Sequence, residues 1–217
     1  SKLGTVLDVT SASAAAGTNV QTYTFNQSTA QKWTLLETEK TLYSIMGKTN
    51  VSVSQMVKFY KNRATVSYPY SNVSEAPTIE KFCQIYKEES EVEGVKAEVA
   101  FAQAMMETGF LKFGGDVKKD QYNFAGIGAI GGGSSGAKFD SIRIGIRAHV
   151  QHLKAYASKE ALKQPVVDPR FQYVKRGSAE YVQWLGQKEN PNGYGWATAK
   201  NYGNNIVKLY ILPMKKY

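Results

Sequence analysis

Glu107 is the residue in this sequence whose position best suits it for acid–base chemistry. It lies near the end of an alanine-rich stretch, residues 97–110, whose apolar residues recur at the spacing of one helical face before Gly109 ends the helix. The negative end of a helix dipole disfavours ionisation of a nearby carboxyl group, so Glu107 would stay available as an acid. Small residues and Gln103 share its side of the helix, which leaves room for a ligand. Taken alone, the stretch also fits a solvated glutamate at a helix end.

Two histidines and a glycine-rich segment could also carry chemistry. His149 and His152 are three residues apart in a helical pattern with no third ligand beside them, so we expect packing rather than metal binding. Residues 126–136 are rich in glycine but lack the spacing of a phosphate-binding loop, and they predict a small lobe or lid. We therefore expect neither a metal nor a cofactor.

An aromatic loop precedes the last predicted helix. Residues 189–195 form a polar turn that presents Tyr194 and Trp196. Aromatic rings on a rigid loop commonly stack on sugars, and they equally commonly cover the helix that follows. The pattern leaves both roles open.

Composition indicates a globular protein with an acidic partner. The 217 residues include 27 Lys and Arg against 18 Asp and Glu, a formal charge of +9. Charge alone fits either nucleic acid or an anionic polymer such as a bacterial cell wall, but the basic residues are dispersed and match no nucleic-acid motif. The single cysteine, Cys83, excludes an internal disulfide. We see no membrane span and no signal peptide in residues 1–9, so we expect any targeting sequence to be already removed.

Periodicity predicts a mainly α (α+β) chain with a short N-terminal β segment. Strands are expected in the first 35 residues and helices after them. The helices are predicted over residues 55–62, 79–93, 97–109, 142–157, 178–185 and 198–212. Thr78 and Ser178 are predicted as N-caps, and Gly94 and Gly109 as helix ends.

The first 37 residues resemble one repeat of a ricin-type β-trefoil. Leu7-Asp8-Val9, Val20-Gln21-Thr22-Tyr23 and Gln31-Lys32-Trp33 carry the resemblance. In that family Asp8 and Asn26 would lie near a sugar pocket. A trefoil needs three repeats to close its barrel, however, so we expect a residual hairpin or truncated module without a sugar site.

Three motifs further along resemble bacterial cell-wall glucosaminidases of glycoside hydrolase family 73. Residues 98–109 are similar to the helix that bears that family's catalytic glutamate, and Asn123–Gly128 resembles its Asn-x-Phe-Gly-Ile motif, with Ala125 where an aromatic is more usual. Residues 193–197, together with 201–206, resemble its tyrosine-containing ending. The resemblance covers about residues 51–212. It implies a lysozyme-like helical domain with a small irregular β-lobe, and cleavage of the β-1,4 bond after N-acetylglucosamine in peptidoglycan.

The resemblance also assigns roles to individual residues. Glu107 would be the general acid, and Tyr202 would lie close to the reacting sugar. Tyr202 also shares a helical face with Ile206 and Leu209, so a packing role is the alternative. The residues expected to bind substrate are Gln103, Asn123, Phe124, Tyr194 and Trp196. The resemblance further implies a secreted, monomeric autolysin of the bacterial cell wall, with domains at residues 1–37 (β-hairpin), 38–77 (connecting segment) and 78–217 (catalytic).

One departure from the family concerns the second catalytic group. Many members carry a glutamate in the β-lobe, but residues 127–139 contain neither Asp nor Glu. Asp116 is the first candidate, ahead of Asp120 and Asp140, and attack by the N-acetyl group of the substrate would need none of them. The alternative functions are those of a muramidase, a lytic transglycosylase or a non-catalytic wall-binding module.

Overall fold

The computed structural model describes residues 4–13, 15, 18–32, 42–129 and 135–217. The chain divides into two compact units, Ser1–Thr41 and Leu42–Tyr217. None of the described helices is both long and apolar enough to cross a lipid bilayer.

The described part of the N-terminal unit contains a two-stranded antiparallel hairpin. Strand β1, Thr5–Val9, pairs with β2, Val20–Thr24, so that Val9 lies opposite Val20. A third strand was predicted from Gln31, but Gln31 ends a short 3₁₀ turn, Thr29–Gln31, and residues 33–35 lie outside the described part of the chain. The Gln31 amide instead reaches back, donating to the Asp8 carboxylate at 3.0 Å and the Thr24 carbonyl at 2.9 Å.

The second unit is built from helices whose ends follow local sequence signals. Helix α1 covers Val53–Arg63, α2 Ile79–Glu93, α3 Ala97–Thr108 and α4 Ile142–Ala157. Thr78 caps α2 by accepting from the Lys81 N–H, as predicted. Gly94 and Gly109 end α2 and α3 in the left-handed conformation, with φ of 75° and 57°, which confirms both predicted ends.

Helix α3 forms the centre of this unit. Every residue from Ala97 to Met105 is buried, which agrees with a buried, alanine-rich helix and extends beyond the single apolar face that the spacing predicted. A helix that is surrounded on all sides is apolar or small over most of its surface, which explains its four alanines. The one charged side chain within this run, Glu98, accepts from the Tyr43 hydroxyl at 2.8 Å and from the Asn50 N–H at 3.3 Å.

Ion pairs attach α4 to α2 beside the core. Lys154 and Glu93 form a fully buried pair at 2.9 Å, and the Glu93 carboxylate also accepts from the backbone of residues 163 and 164. Glu89 binds Arg143 at 2.7 Å and Arg147 at 2.9 Å. These contacts set the position of α4 along α2.

The predicted helix over residues 178–185 is wrong except for its last turn, a 3₁₀ helix at Val182–Leu185. The Glu180 carbonyl accepts from the Ile45 N–H at 3.0 Å and the Val182 N–H donates to the Tyr43 carbonyl at 2.8 Å, so this backbone pairs with a distant segment. Ser178 accordingly caps no helix there.

The C-terminal helix begins later than predicted. It consists of α5, Tyr202–Asn205, a π-helical segment, Ile206–Ile211, and a closing turn α6, Leu212–Met214. Asn201 precedes it with φ of 62°, so the helix cannot extend back to residue 198. The π-helical segment packs against α3.

Candidate active site

Glu107 lies in the last turn of α3, on a cleft of about 270 Å³. The cleft is lined by Glu107, Thr108, Gly109, Phe113, Gly115, Asp116, Val117, Asn123, Gly126 and Ala129. Water reaches the Glu107 side chain from the cleft, yet protein atoms crowd its carboxyl group. This desolvation raises the pKa of Glu107, and a hydrogen bond from Tyr202 opposes the rise only in part. The surroundings of Glu107 therefore shift its ionisation toward the neutral acid, at a position that faces an open cleft.

Tyr202 is the direct partner of Glu107. It is buried at the start of α5 and donates its phenolic hydrogen to Oε1 of Glu107. Burial, followed by the nearby Glu107 charge, raises the pKa of Tyr202 well above its usual value, so the phenol stays protonated. Gly203 makes this placement possible, because a Cβ atom there would lie 1.9 Å from the Val182 carbonyl oxygen.

A line of buried polar side chains continues behind Tyr202. The Gln103 amide nitrogen donates to the Tyr202 oxygen at 2.8 Å. The Gln103 amide oxygen lies 2.9 Å from Nε2 of His149, and Nδ1 of His149 lies 3.2 Å from the Tyr86 hydroxyl. Helices α2, α3, α4 and α5 each contribute one of these four side chains. Sequence reasoning treated His149 as a packing residue and did not connect it to Glu107.

Gln103 and Phe124, which the sequence analysis names as substrate-binding residues, lie beneath the cleft surface. Gln103 is completely buried, with its amide used by Tyr202 and His149. Phe124 is also completely buried, with its ring 5.1 Å from that of Phe82. Both residues support the site from below rather than reach a ligand.

Asn123 both lines the cleft and holds the glycine-rich turn beside it. Its amide accepts from the Ile127 N–H at 2.9 Å and donates to the carbonyls of Ile127 at 2.9 Å and Ala137 at 3.0 Å. With these bonds satisfied, its main effect is to fix the cleft wall formed by residues 126–129.

Asp116 shares the cleft with Glu107. Asp120 and Asp140 do not line it, and Asp140 borders a separate depression beside Lys138 and Pro169. Among the three aspartates considered as a second catalytic group, the geometry therefore favours Asp116.

A second depression of about 220 Å³ adjoins the cleft, and the two share Gly126 and Ala129 in their walls. Its remaining lining is Ile127, Gly128, His152, Tyr156, Arg170, Tyr173, Val174 and Trp196. We call the two depressions together the groove. His152, Arg170 and Tyr173 were not predicted as site residues, because they come from a helix and a loop without a recognisable motif.

Trp196 and Tyr194 have different environments. Trp196 is half-buried, with its ring 4.6 Å from His152 and 5.8 Å from His149, and it lines the groove. Tyr194 is more exposed and does not line the groove; the Lys175 ammonium lies 3.9 Å from its ring centre. Trp196 thus packs on α4 and also lines the groove, and its stacking on a sugar stays a prediction.

His152 pairs with Asp168 at 2.6 Å rather than with His149 as a metal site. Within the described ranges, no group of three or more His, Cys, Asp or Glu side chains is arranged to hold a metal ion.

Comparison with known proteins identifies the family and the fold. The Glucosaminidase family model, described as mannosyl-glycoprotein endo-beta-N-acetylglucosaminidase, matches residues 83–211, and a ricin-type beta-trefoil lectin-like model matches residues 1–64. An uncharacterized protein of Borreliella burgdorferi is 46% identical over 132 residues, which span 61% of this chain and 61% of that protein's length.

A solved structure, S. aureus autolysin E in complex with the muropeptide NAM-L-Ala-D-iGlu, matches with a TM-score of 0.51 at 20% identity, over 81% of this chain and 72% of that one. This match confirms the predicted mainly α, lysozyme-like fold. Because the Glucosaminidase model covers more than half of the sequence, the chain belongs to the Glucosaminidase family.

Proposed function

We propose that this protein is an endo-β-N-acetylglucosaminidase that hydrolyses the β-1,4 bond after N-acetylglucosamine in peptidoglycan. The observation that carries the proposal is Glu107, a carboxylic acid whose pKa is raised by desolvation at the edge of an open cleft. A glycosidic oxygen needs a proton as it leaves, and an acid with a raised pKa can deliver one near neutral pH. Family membership is consistent with this chemistry.

In the proposed reaction Glu107 protonates the glycosidic oxygen while the bond to the anomeric carbon breaks. The carboxylate that forms accepts the hydrogen bond from Tyr202, which is already in place. A donor aimed at the developing charge stabilises the transition state more than the ground state. We therefore propose that Tyr202 is a catalytic residue that stabilises the Glu107 carboxylate, distinct from the group that attacks the anomeric carbon.

The anomeric carbon must then be attacked. We propose two routes for this step: Asp116, which shares the cleft, or the N-acetyl group of the substrate itself. Substitution of Asp116 by Asn distinguishes them. Loss of activity favours Asp116, and retention of most activity favours the N-acetyl group. The separation of the two carboxyl groups would decide between retention and inversion only in the first case.

The groove suggests where neighbouring parts of the glycan strand bind. Trp196 presents an aromatic face suited to a flanking sugar, and Tyr194 is proposed as a further sugar contact beyond the groove edge. Arg170 places a positive charge in the same compartment, which suits the acidic peptide attached to the strand. The charge of +9 suits the anionic polymers of a bacterial wall, where we propose that the protein acts as a secreted, monomeric autolysin.

Mass spectrometry of reduced digestion products tests the proposed bond specificity. Purified peptidoglycan digested with the protein should yield fragments with N-acetylglucosamine at the reducing end. Reducing muramic acid ends would identify a muramidase, and anhydromuramic ends a lytic transglycosylase. No release of fragments by the native protein would favour a non-catalytic wall-binding module.

A further inference from the structure

The buried line of side chains behind Tyr202 has a direction that can be worked out from the chemistry of its members. Burial, reinforced by the nearby His152, lowers the pKa of His149 to about 3, so this imidazole is neutral at ordinary pH. Burial also raises the pKa of Tyr86 well above its usual value, so Tyr86 keeps its hydroxyl hydrogen. A neutral imidazole has one nitrogen that donates and one that accepts.

The orientation of the Gln103 amide decides which nitrogen of His149 carries the hydrogen. The amide oxygen of Gln103 faces Nε2 at 2.9 Å, and an oxygen can only accept. Nε2 is therefore the protonated nitrogen, and Nδ1 accepts from the Tyr86 hydroxyl at 3.2 Å.

The same amide decides the direction of the Tyr202 hydroxyl. Its nitrogen donates to the Tyr202 oxygen at 2.8 Å, which leaves the Tyr202 hydrogen free to point at Oε1 of Glu107. Each donor in the line thus points toward Glu107. If the amide were reversed, Tyr202 would donate to Gln103 and would turn a lone pair toward the carboxylate.

We propose that Gln103, His149 and Tyr86 are positioning residues that hold the Tyr202 hydroxyl as a donor to Oε1 of Glu107, so that Oε2 carries the catalytic proton. This inference rests on the proposed role of Glu107 as general acid. In the acid step the O–H bond at Oε2 breaks, its hydrogen goes to the glycosidic oxygen, and the electron pair of the broken glycosidic bond stays on that oxygen. The new carboxylate then meets a donor that needs no reorientation.

The most direct test reads the tautomer of His149 by NMR and does not depend on activity. The sequence has two histidines, so ¹⁵N-labelled protein gives two sets of ring signals. The proposal requires a proton on Nε2 of His149 and none on Nδ1. His152 is the internal reference, because its Nδ1 faces the Asp168 carboxylate at 2.6 Å and must carry a proton. A proton on Nδ1 of His149 would overturn the proposal, even if the protein is a glucosaminidase.

A double-mutant cycle tests whether Gln103 acts through Tyr202. We expect Tyr202→Phe to lower kcat by about 10- to 100-fold, and Gln103→Met by about 3- to 10-fold, with little change in KM. Because Gln103 does not touch substrate, Gln103→Met should change kcat no further when Tyr202 is already Phe. Independent, multiplicative effects would contradict the proposal.

The pH profile gives a readout that a merely structural role would not move. Both variants remove or loosen a donor to the Glu107 carboxylate, which raises the pKa of Glu107 and moves the alkaline fall of activity to higher pH. Among the described residues, Tyr202 and Tyr210 (on the π-helical segment) interact electrostatically with Glu107, and Asp116 lines the same cleft. Only the first is altered in the cycle.

Two further variants guard against a folding defect. Gln151→Met removes another fully buried amide, on α4, which binds the backbone of residues 165–168 and is not part of the line. It should lower stability without moving the alkaline limb. Tyr86→Phe keeps the ring in the core and removes only the far hydroxyl. It should move the limb in the same direction as Gln103→Met, and an unchanged limb in a folded Tyr86→Phe protein would contradict the proposal.

Discussion

Two features of the environment of Glu107 affect its pKa in opposite directions. Desolvation in the cleft wall favours the neutral acid, whereas the hydroxyl of Tyr202 favours the carboxylate. Desolvation is the larger effect, so the pKa of Glu107 lies above its usual value. This balance suits a group that must hold a proton before the reaction and be stabilised after losing it.

The raised pKa of Glu107 makes stability depend on pH. Below the pKa of an unfolded glutamate the side chain is neutral in both states, and as pH rises through the higher folded pKa the native state must accommodate a desolvated charge. We expect Glu107→Gln to melt at about the same temperature as the native protein near pH 4, and at a higher temperature near pH 8. Calorimetry at the two pH values checks this. A lower melting temperature for the variant at both values would contradict it.

At the residue scale, the sequence indicated Glu107 as the acid but did not indicate the hydrogen-bonded side chains behind it. The glutamate and its glycine stop are neighbours, so the helix end was visible in one short segment. Tyr202 lies 95 residues from Glu107, and His149 lies 46 residues from Gln103. Hydrogen bonds over such separations leave no periodic pattern, so only the folded arrangement brings them together.

At the scale of elements, α3 carries the acid and its neighbours hold the supporting groups in register. Helix α4 brings His149 to Gln103. The buried ion pair of Lys154 and Glu93 sets the position of α4 along α2. Two charges without water between them tolerate little displacement, since either charge alone would be costly to bury.

Lys154→Met should therefore destabilise the fold strongly. The substitution leaves the Glu93 carboxylate buried without its ammonium partner, and we expect a loss of about 3 to 5 kcal/mol in the free energy of unfolding. Urea denaturation measures this loss. The matched control is Lys61→Met, which breaks the exposed pair with Glu80 and should cost less than about 1 kcal/mol. Equal losses for the two variants would contradict the assigned role of the buried pair.

Gly203→Ala should displace the start of α5. The added Cβ would lie 1.9 Å from the Val182 carbonyl oxygen, so the helix must move and carry Tyr202 away from Glu107. We expect a stability loss of about 1 to 3 kcal/mol together with a fall in kcat. Asn205→Ala, at an exposed position on the same short helix, should change neither. Full activity in Gly203→Ala would show that Tyr202 needs no such placement.

Element boundaries were predictable where the signal is local. Thr78, Gly94 and Gly109 act on their own helix ends and were predicted correctly. The helix predicted over residues 178–185 was wrong because their backbone pairs with the segment around Ile45, and this pairing outweighs their helical pattern. The late start of α5 likewise depends on the left-handed Asn201 and on the close approach of Gly203 to Val182.

At the scale of the whole molecule, the residues that line the groove all belong to the unit Leu42–Tyr217. Residues 1–64 match a ricin-type lectin model. In the described part of this stretch, the side-chain amides of Gln21 and Gln31 donate to the Asp8 carboxylate at 3.4 and 3.0 Å. That the N-terminal unit lacks a sugar site stays a prediction.

The net charge should affect wall binding more than bond cleavage. A protein of charge +9 is attracted to an anionic polymer, and salt screens that attraction beyond about 10 Å at 0.1 M. We expect hydrolysis of intact cell wall to fall as salt is raised, while hydrolysis of a short neutral oligomer of N-acetylglucosamine changes little. Parallel turbidity and reducing-sugar assays check this. An equal salt effect on both substrates would contradict the electrostatic role.

The central claim, that Glu107 is the general acid, is tested most directly by comparing leaving groups. A sugar leaving group needs a proton on its oxygen to depart, whereas a dinitrophenolate leaves without one. We predict that Glu107→Gln lowers kcat/KM on peptidoglycan by about a thousandfold, in line with loss of a general acid, and lowers it far less on a dinitrophenyl glycoside of N-acetylglucosamine. An equal loss on both substrates, or full activity on peptidoglycan, would contradict the account.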